Sequence, residues 1–397
     1  MNKRIIALLC ALALMLALPV AQAEAAEGGD VAVPLLENPP AFEIPESDAM
    51  AFVRQMGVGW NLGNTFDAWR DGNVGDEMSI ESYWCGVKTT EDMIEAVHEA
   101  GFSTVRVPVS WHNHVDADFN ISQPWLDRVQ QVVDWIIDRD MTVILNIHHD
   151  EGADYYYPSE ACYETSERYI RRIWEQLSER FGEYGEKLIF EAMNEPRQKG
   201  TDWEWWLDEN NENCREAADC INRLNQVFVD TVRASGGNNA ERYLMVPGYT
   251  ASPRGALSKL FALPIDTAKD RIILSIHAYT PYSFALEEGG VDSFKTATGP
   301  QTSEIGSFLN DLYRKYIANG VPVVIGEFGA RDKGGNLQAR VDYAAYYTFA
   351  ARARGISCCW WDNGAVSGNG ELFALLNRSK SSWYYPEIVE ALVKYGA

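Results

Sequence analysis

Apolar and polar positions along this chain follow a two-part repeat: a short, nearly continuous apolar run, then a stretch whose apolar residues recur at helical spacing. The runs suited to buried parallel strands are Met56–Leu62, Thr104–Val109, Thr142–His148, Leu188–Met193, Tyr243–Pro247, Arg271–His277, Val321–Phe328 and Ile356–Trp361. Amphipathic stretches lie between and after them: Thr90–Ala100, Trp125–Arg139, Thr165–Phe181, Ala217–Ala234, Arg254–Phe261, Ser303–Asn319, Leu337–Arg354 and Tyr385–Tyr395. In the second of these, Trp125, Val129, Val132, Val133, Ile136 and Ile137 share one helix face and would cover a sheet. Several helices are expected to stop at glycine: Gly101, Gly182, Gly236, Gly320 and Gly355. Eight strands each followed by a helix predict an α/β fold, a (β/α)8 TIM barrel. An open doubly wound sheet would show fewer strands and a glycine-rich phosphate loop after the first. Gly57-Val58-Gly59 opens a strand and does not start a helix, so no nucleotide site is expected.

In such a barrel, chemistry belongs at the C-terminal ends of the strands. The fourth run ends in Met193-Asn194-Glu195-Pro196 and the seventh in Gly326-Glu327-Phe328-Gly329, so two carboxylates are presented from two strand ends. That pair is the minimum equipment for cleaving a glycosidic bond, one carboxyl protonating the leaving oxygen while the other attacks or activates water. Further polar or aromatic residues fall at the same ends: Asn61 and Asn64, Arg106 and His112, His148, Asn194, His277 and Tyr279, and Trp361. Glu191, four residues before Glu195, is read as a hydrogen-bonding acid of the barrel interior. Each residue taken singly is equally well explained as a group satisfying buried backbone; their joint placement is what carries the reading.

Charge and composition narrow the partners. The chain has 57 acidic against 34 basic residues, a net charge of −23, which repels nucleic acid and anionic membranes and tolerates a neutral polysaccharide. Met1-Asn2-Lys3-Arg4, the apolar Ile5 to Val20 and Ala21-Gln22-Ala23 read as a secretory signal peptide over residues 1–23, so a secreted, extracellular protein with no membrane association after its removal is expected. Residues 24–47 carry Pro34, Pro39, Pro40 and Pro45 among acids and read as an extended tether or strap. From Asp48 to Ala397 there is no composition break, so one catalytic domain over 48–397, without an appended binding module, and a monomer are expected. His148-His149-Asp150 is a poor metal motif, because neighbouring strand residues point to opposite faces, and neither metal nor cofactor is expected. Export permits disulfides. Cys214–Cys220 and Cys85–Cys162 are the suspected pairs, while the adjacent Cys358 and Cys359 are expected as buried free thiols on opposite faces of a strand.

With these residues in place, the chain resembles glycoside hydrolase family 5 over nearly all of its length from Met56. The motifs are Gly59-Trp60-Asn61-Leu62-Gly63-Asn64-Thr65-Phe66-Asp67, Val105-Arg106-Val107-Pro108-Val109-Ser110-Trp111, Asn146-Ile147-His148-His149, Met193-Asn194-Glu195-Pro196, His277-Ala278-Tyr279, Ile325-Gly326-Glu327-Phe328-Gly329 and Trp360-Trp361-Asp362-Asn363-Gly364. The opening motif, Ser110-Trp111-His112-Asn113-His114-Val115 and the Trp-Asp-Asn-Gly segment look most like subfamily 4, mainly endo-β-1,4-glucanases.

The resemblance implies a retaining enzyme with Glu195 as general acid/base and Glu327 as nucleophile. Arg106 is implied to hydrogen-bond Glu327 and favour its carboxylate form, Tyr279 to donate to it, and Asn194 to hold the sugar 2-hydroxyl. His148 and His277, with His112 nearby, would complete the polar floor of the −1 subsite, Asn64 would contact substrate, and Trp361 would stack under the sugar; Trp360 is the alternative if the strand is rotated by one residue. Trp203, Trp205 and Trp206 in the fourth loop are candidate sugar platforms or loop anchors. The implied substrate is a β-1,4-glucan, cellulose-type, mixed-linkage or xyloglucan. A mannanase or xylanase on the same barrel and a non-catalytic polysaccharide-binding barrel are the alternatives.

Overall fold

The computed structural model describes residues 31–397, apart from Asn73 and Asn369; the expected leader and the first residues of the expected tether lie outside them. Each predicted run forms a strand, with bounds shifted by up to two residues: β1 (Val58–Leu62), β2 (Thr104–Val107), β3 (Thr142–Asn146), β4 (Leu188–Glu191), β5 (Leu244–Pro247), β6 (Ile272–His277), β7 (Val323–Phe328) and β8 (Ser357–Asp362). The strands pair in parallel in chain order, and β8 closes onto β1 with Val58 opposite Cys358 and Leu62 opposite Asp362. This is the expected (β/α)8 barrel.

The helices are α1 (Asp48–Gln55), α2 (Glu91–Glu99), α3 (Gln123–Ile137), α4 (Tyr163–Arg180), α5 (Glu212–Ala234), α6 (Pro253–Leu257), α7 (Tyr282–Ala285), α8 (Pro300–Lys315), α9 (Leu337–Arg352) and α10 (Pro386–Gly396). All eight predicted helices are present, although α6 is shorter than expected because the backbone leaves the helix at Ser258, whose hydroxyl binds Glu209. A small hairpin, β9 (Leu376–Asn377) with β10 (Ser382–Trp383), follows β8.

Alternation along the strands sorts the core into two layers. Outward residues such as Trp60, Val105, Leu145, Phe190 and Trp360 pack against the helices. Inward residues Ile144, Ile189, Met245, Ile273, Val324 and Cys359 form a second cluster together with Ala49, Phe52, Val53 and Met56 of the α1 segment. The sequence reading had no α1. It is capped by Ser47, whose hydroxyl accepts from Met50 N, and its Phe52 ring stacks on Tyr243 at 4.1 Å, closing the end of the barrel opposite the strands' C-termini. The interior is tight: a β-carbon on Gly59 would lie 2.3 Å from Cys359 Sγ.

Residues 31–47 lie along the outside of the last helices. Gln338 of α9 exchanges hydrogen bonds with the backbone of Ala32, Leu36 N donates to Tyr395 Oη, and Tyr313 Oη donates to Glu43 O. Ile44 seats against Gly355, whose φ of 75° favours glycine and whose β-carbon would lie 3.2 Å from the Ile44 side chain.

The two suspected disulfides are not formed; the six cysteines among the described residues are free. Cys214 and Cys220 both lie on α5, where six residues of rise separate the backbones by about 9 Å, beyond the roughly 7 Å a disulfide spans. Cys85 faces the carbonyl of Val87 at 3.1 Å, whereas Cys162 sits at the start of α4, its carbonyl bonded to Ser166. Cys358 and Cys359 are buried in different layers, as their adjacency on a strand predicts. No helix among the described residues is long and apolar enough to cross a membrane.

Candidate active site

Above the apolar plug, the inward positions of the barrel turn polar, and a fully buried guanidinium organises them. Arg106 of β2 donates to Glu191 (2.8 Å), Glu327 (2.7 Å), Asn61 (3.1 Å) and Asn194 (2.8 Å). Burial opposes its charge, but Glu191 and Glu327 outweigh that and hold it protonated beyond its ordinary range. Arg106 can satisfy so many acceptors because its donors form a planar fork. Glu191 is the interior hydrogen-bonding acid expected: it also accepts from Asn146 at 3.0 Å and Ser275 at 2.5 Å.

Glu327 reaches this cluster through a backbone irregularity. Strict alternation from the inward Val324 would send Gly326 inward and Glu327 outward. The β6–β7 register instead steps from Ile276 opposite Ile325 to His277 opposite Glu327, so Gly326 is a bulge that turns Glu327 inward and Phe328 outward onto Tyr347. Glycine suits the position, because a β-carbon would press on the site at 3.2 Å from His277 Nε2 and 3.4 Å from Arg106 Nε. The other oxygen of Glu327 accepts from Tyr279 Oη at 3.0 Å. Burial, then the charges of Glu327 and Glu195, push the Tyr279 phenol well above its usual range, so it stays a donor.

Glu195 approaches from the end of β4. Its Oε1 lies 2.8 Å from His277 Nδ1, which is also 3.6 Å from Glu327 Oε1. One oxygen of Glu195, one of Glu327 and a His277 nitrogen all fall within 4.8 Å of one another. Burial opposes the imidazolium, yet Glu327 and Glu195 outweigh it and raise His277; burial raises Glu195, but the His277 bond and the Arg197 charge bring it below its ordinary value. The two face each other at hydrogen-bond distance and titrate as a unit.

His148 and Trp361 form one wall, their rings parallel at 5.7 Å. Burial, reinforced by His149 and Arg106, keeps His148 neutral. Asn146 Oδ1 accepts from Val109 N, so its amide nitrogen donates to His148 Nδ1 at 3.2 Å and leaves Nε2–H as the free donor. β8 presents Trp361 to the cleft, whereas Trp360 points outward and bonds Phe373 O, which resolves the two orientations left open by the sequence.

Two expected site residues stand apart from the acid pair. His112 is tied to Asp150 at 2.6 Å among Trp69 and Tyr155, and Asn64 sits at the end of β1 at φ 55°, its amide bonded to Asp67. Trp203 bonds Gln198 and anchors the fourth loop, while Trp205 and Trp206 are 60% and 62% exposed, lying over Arg197 and Arg254. The sequence reading missed Arg197, which follows Glu195-Pro196 and pairs with the buried Glu151 at 2.8 Å; a basic residue two places after a strand-end acid was the available signal. Asp67, His148 and His149 also bring ligand atoms within 4.8 Å, but both oxygens of Asp67 already accept backbone N–H bonds from Asn64 and Thr65.

Residues 65–367 match the model of the cellulase family, glycosyl hydrolase family 5. Cellulase/esterase CelE of Acetivibrio thermocellus is 39% identical over 404 residues, covering 99% of this chain, and the chain spans 47% of that relative's length. Among solved structures, the cellotetraose complex of a glycoside hydrolase 5 lichenase mutant from Caldicellulosiruptor sp. F32 is 53% identical with a TM-score of 0.91, covering 93% of this chain and 100% of that one. A GH5-4 broad-specificity endoglucanase from Ruminococcus champanellensis with bound cellotriose is 41% identical with a TM-score of 0.81, covering 89% and 100%. The chain therefore belongs to glycosyl hydrolase family 5, the cellulase family, as a glycoside hydrolase of the endoglucanase type found in subfamily 4.

Proposed function

We propose that the protein is an exported endo-β-1,4-glucanase that hydrolyses internal bonds of soluble β-glucans with retention, using Glu327 as nucleophile and Glu195 as acid/base. The observation that carries this is the approach of one oxygen each of Glu195 and Glu327 to within 4.8 Å, which suits the roughly 5–5.5 Å carboxyl spacing of retaining enzymes better than the roughly 6.5–9.5 Å of an inverting pair.

In the first step Glu327 forms a bond to the anomeric carbon as the glycosidic C–O bond breaks, and Glu195 passes to the departing oxygen the proton that its pair with His277 holds. In the second, Glu195 takes a proton from water, whose oxygen displaces Glu327. Arg106 and Tyr279 hold the two Glu327 oxygens during attack. Asn194, with its carbonyl fixed by Arg106, has its amide free for the sugar 2-hydroxyl, and His148 Nε2 and Trp361 line the −1 sugar. Asn64 and His112 are assigned to more distant sugar contacts. The cellotetraose and cellotriose complexes of relatives support a β-glucan as substrate. The leader read over residues 1–23 supports export.

Reducing-sugar release from carboxymethyl cellulose, mixed-linkage glucan, xyloglucan, glucomannan and xylan tests the substrate class. Mixed oligomers from the glucans are expected, and activity confined to glucomannan or xylan would overturn it. Glu327→Ala should abolish turnover while substrate still binds; activity within tenfold of wild type would remove the nucleophile assignment.

A further inference from the structure

Arg197 is engaged on four sides. Its Nη1 lies 2.8 Å from Glu151 Oε1 and 2.9 Å from the carbonyl of Glu195, its Nε lies 3.1 Å from Glu204 Oε1, and the Trp205 indole covers it at 4.2 Å. The same Nη1 is 4.0 Å from the Glu195 carboxylate. The Glu151 side chain is completely buried and its Oε2 has no hydrogen-bond partner among the described residues, so Arg197 supplies its charge compensation. No step of the reaction uses Arg197 or Glu151.

We propose that Arg197 is a positioning residue for Glu195: a single guanidinium, divided between Glu151 and Glu195, fixes the end of β4 and sets the positive charge that Glu195 meets when it releases its proton. This rests on the reading of Glu195 as acid/base. The anchoring acid is what makes the device adjustable, since each carboxylate draws on a charge that the other also uses. Trp205, exposed on its far face, joins the same unit, so the loop on the leaving-group side and the proton donor are held by one side chain. The other titratable and charged groups facing Glu195 are His277 from β6, Glu327 from β7, Tyr279 after β6, His149, Glu151 and Tyr156 after β3, and Glu371 after β8.

The test is the alkaline limb of kcat/KM, which follows the acid/base in the free enzyme. It is measured on an aryl β-cellobioside with a poor leaving group, for wild type, Arg197→Gln, Arg197→Lys, Glu151→Gln and Glu195→Ala, each checked for a cooperative thermal transition. A unit charge at this distance in a solvated cleft corresponds to a shift of about half to one pH unit. Arg197→Gln should move the limb up by that amount, because loss of a cation favours the protonated acid. Glu151→Gln should move it down, because one anion leaves the site and Glu195 is then opposed only by Glu204 for the guanidinium charge, and Arg197→Lys should leave it within about 0.3 unit. A role limited to folding would not give opposite shifts. An unmoved limb in Glu151→Gln, or shifts of one sign in both neutral variants, overturns the proposal. If Arg197→Gln does not fold, Glu151→Gln and Arg197→Lys decide it. Retention of the wild-type limb by Glu195→Ala would instead sink the acid/base assignment itself.

Discussion

Replacing Arg106 with methionine removes the guanidinium that Glu191 and Glu327 share, at nearly constant volume. In the wild-type protein four acceptors receive hydrogen bonds of 2.7–3.1 Å from it, and its side chain is fully buried. Deleting one partner of a buried ion pair costs about 3–5 kcal/mol, because the remaining charge is left uncompensated. For a unit spanning residues 31–397, an unfolding entropy of about 2.1 cal/mol/K per residue gives close to 0.8 kcal/mol/K in total, so the midpoint should fall by about 4–6 °C. Differential scanning calorimetry at pH 7 and one scan rate measures this. Glu327→Gln should be destabilising in the wild type and should recover about 2 °C in the Arg106→Met background, where it neutralises a stranded carboxylate. A midpoint within 1 °C of wild type, or equal effects of Glu327→Gln in both backgrounds, would show that the carboxylates do not depend on Arg106 and would refute the account of the cluster.

Three further outcomes are expected. His277 is raised in the folded protein, so its contribution to stability is complete below its unfolded value near 6.5 and is lost as pH rises through the higher folded value; His277→Gln should therefore be less stable than wild type at pH 5–6, with the gap closing on the alkaline side, and a gap that widens there would contradict it. Trp361→Ala should raise KM and lower kcat on cello-oligosaccharides by a combined factor of roughly ten or more, in line with about 1.5 kcal/mol for a lost aromatic face, whereas unchanged kinetics would remove it from the sugar site. Alkylation of the denatured protein without reductant, followed by intact mass, should label Cys85, Cys162, Cys214, Cys220, Cys358 and Cys359; a shortfall of two would restore a disulfide.

Periodicity carried the barrel because both the strands and the helices must bury a face, and that requirement is written into residue type at fixed spacing. The strands could be counted for this reason, and residues at their C-terminal ends were bound to gather at one mouth. Features that depend on how two strands meet were hidden. Alternation alone turns Glu327 away from the cleft; only the Gly326 bulge returns it. The choice between Trp360 and Trp361 needed the β1 register, which sets Asn61 beside Trp361. The α1 helix, which falls before the first run starting at Met56, was hidden because its eight residues are too few to show a helical period. The suspected Cys214–Cys220 bridge failed for a local reason, because a continuous helix carries both residues.

The outer path of residues 31–47 and the α1 plug have a consequence for the order in which the molecule can assemble. Ala32 and Leu36 find their partners at Gln338 and Tyr395, and the backbone of Gly57 receives its bond from Ser357, each across at least 300 positions of sequence. A ribosome delivers these early segments long before those partners exist, and closing such distant pairs carries a chain-entropy cost that local contacts avoid. Ile44 therefore waits for Gly355 to be made, and Phe52 for Tyr243. The outer strap thus finds its last partner only when Tyr395 has been made, and the β1–β8 seam can close only once Ser357 to Asp362 exist.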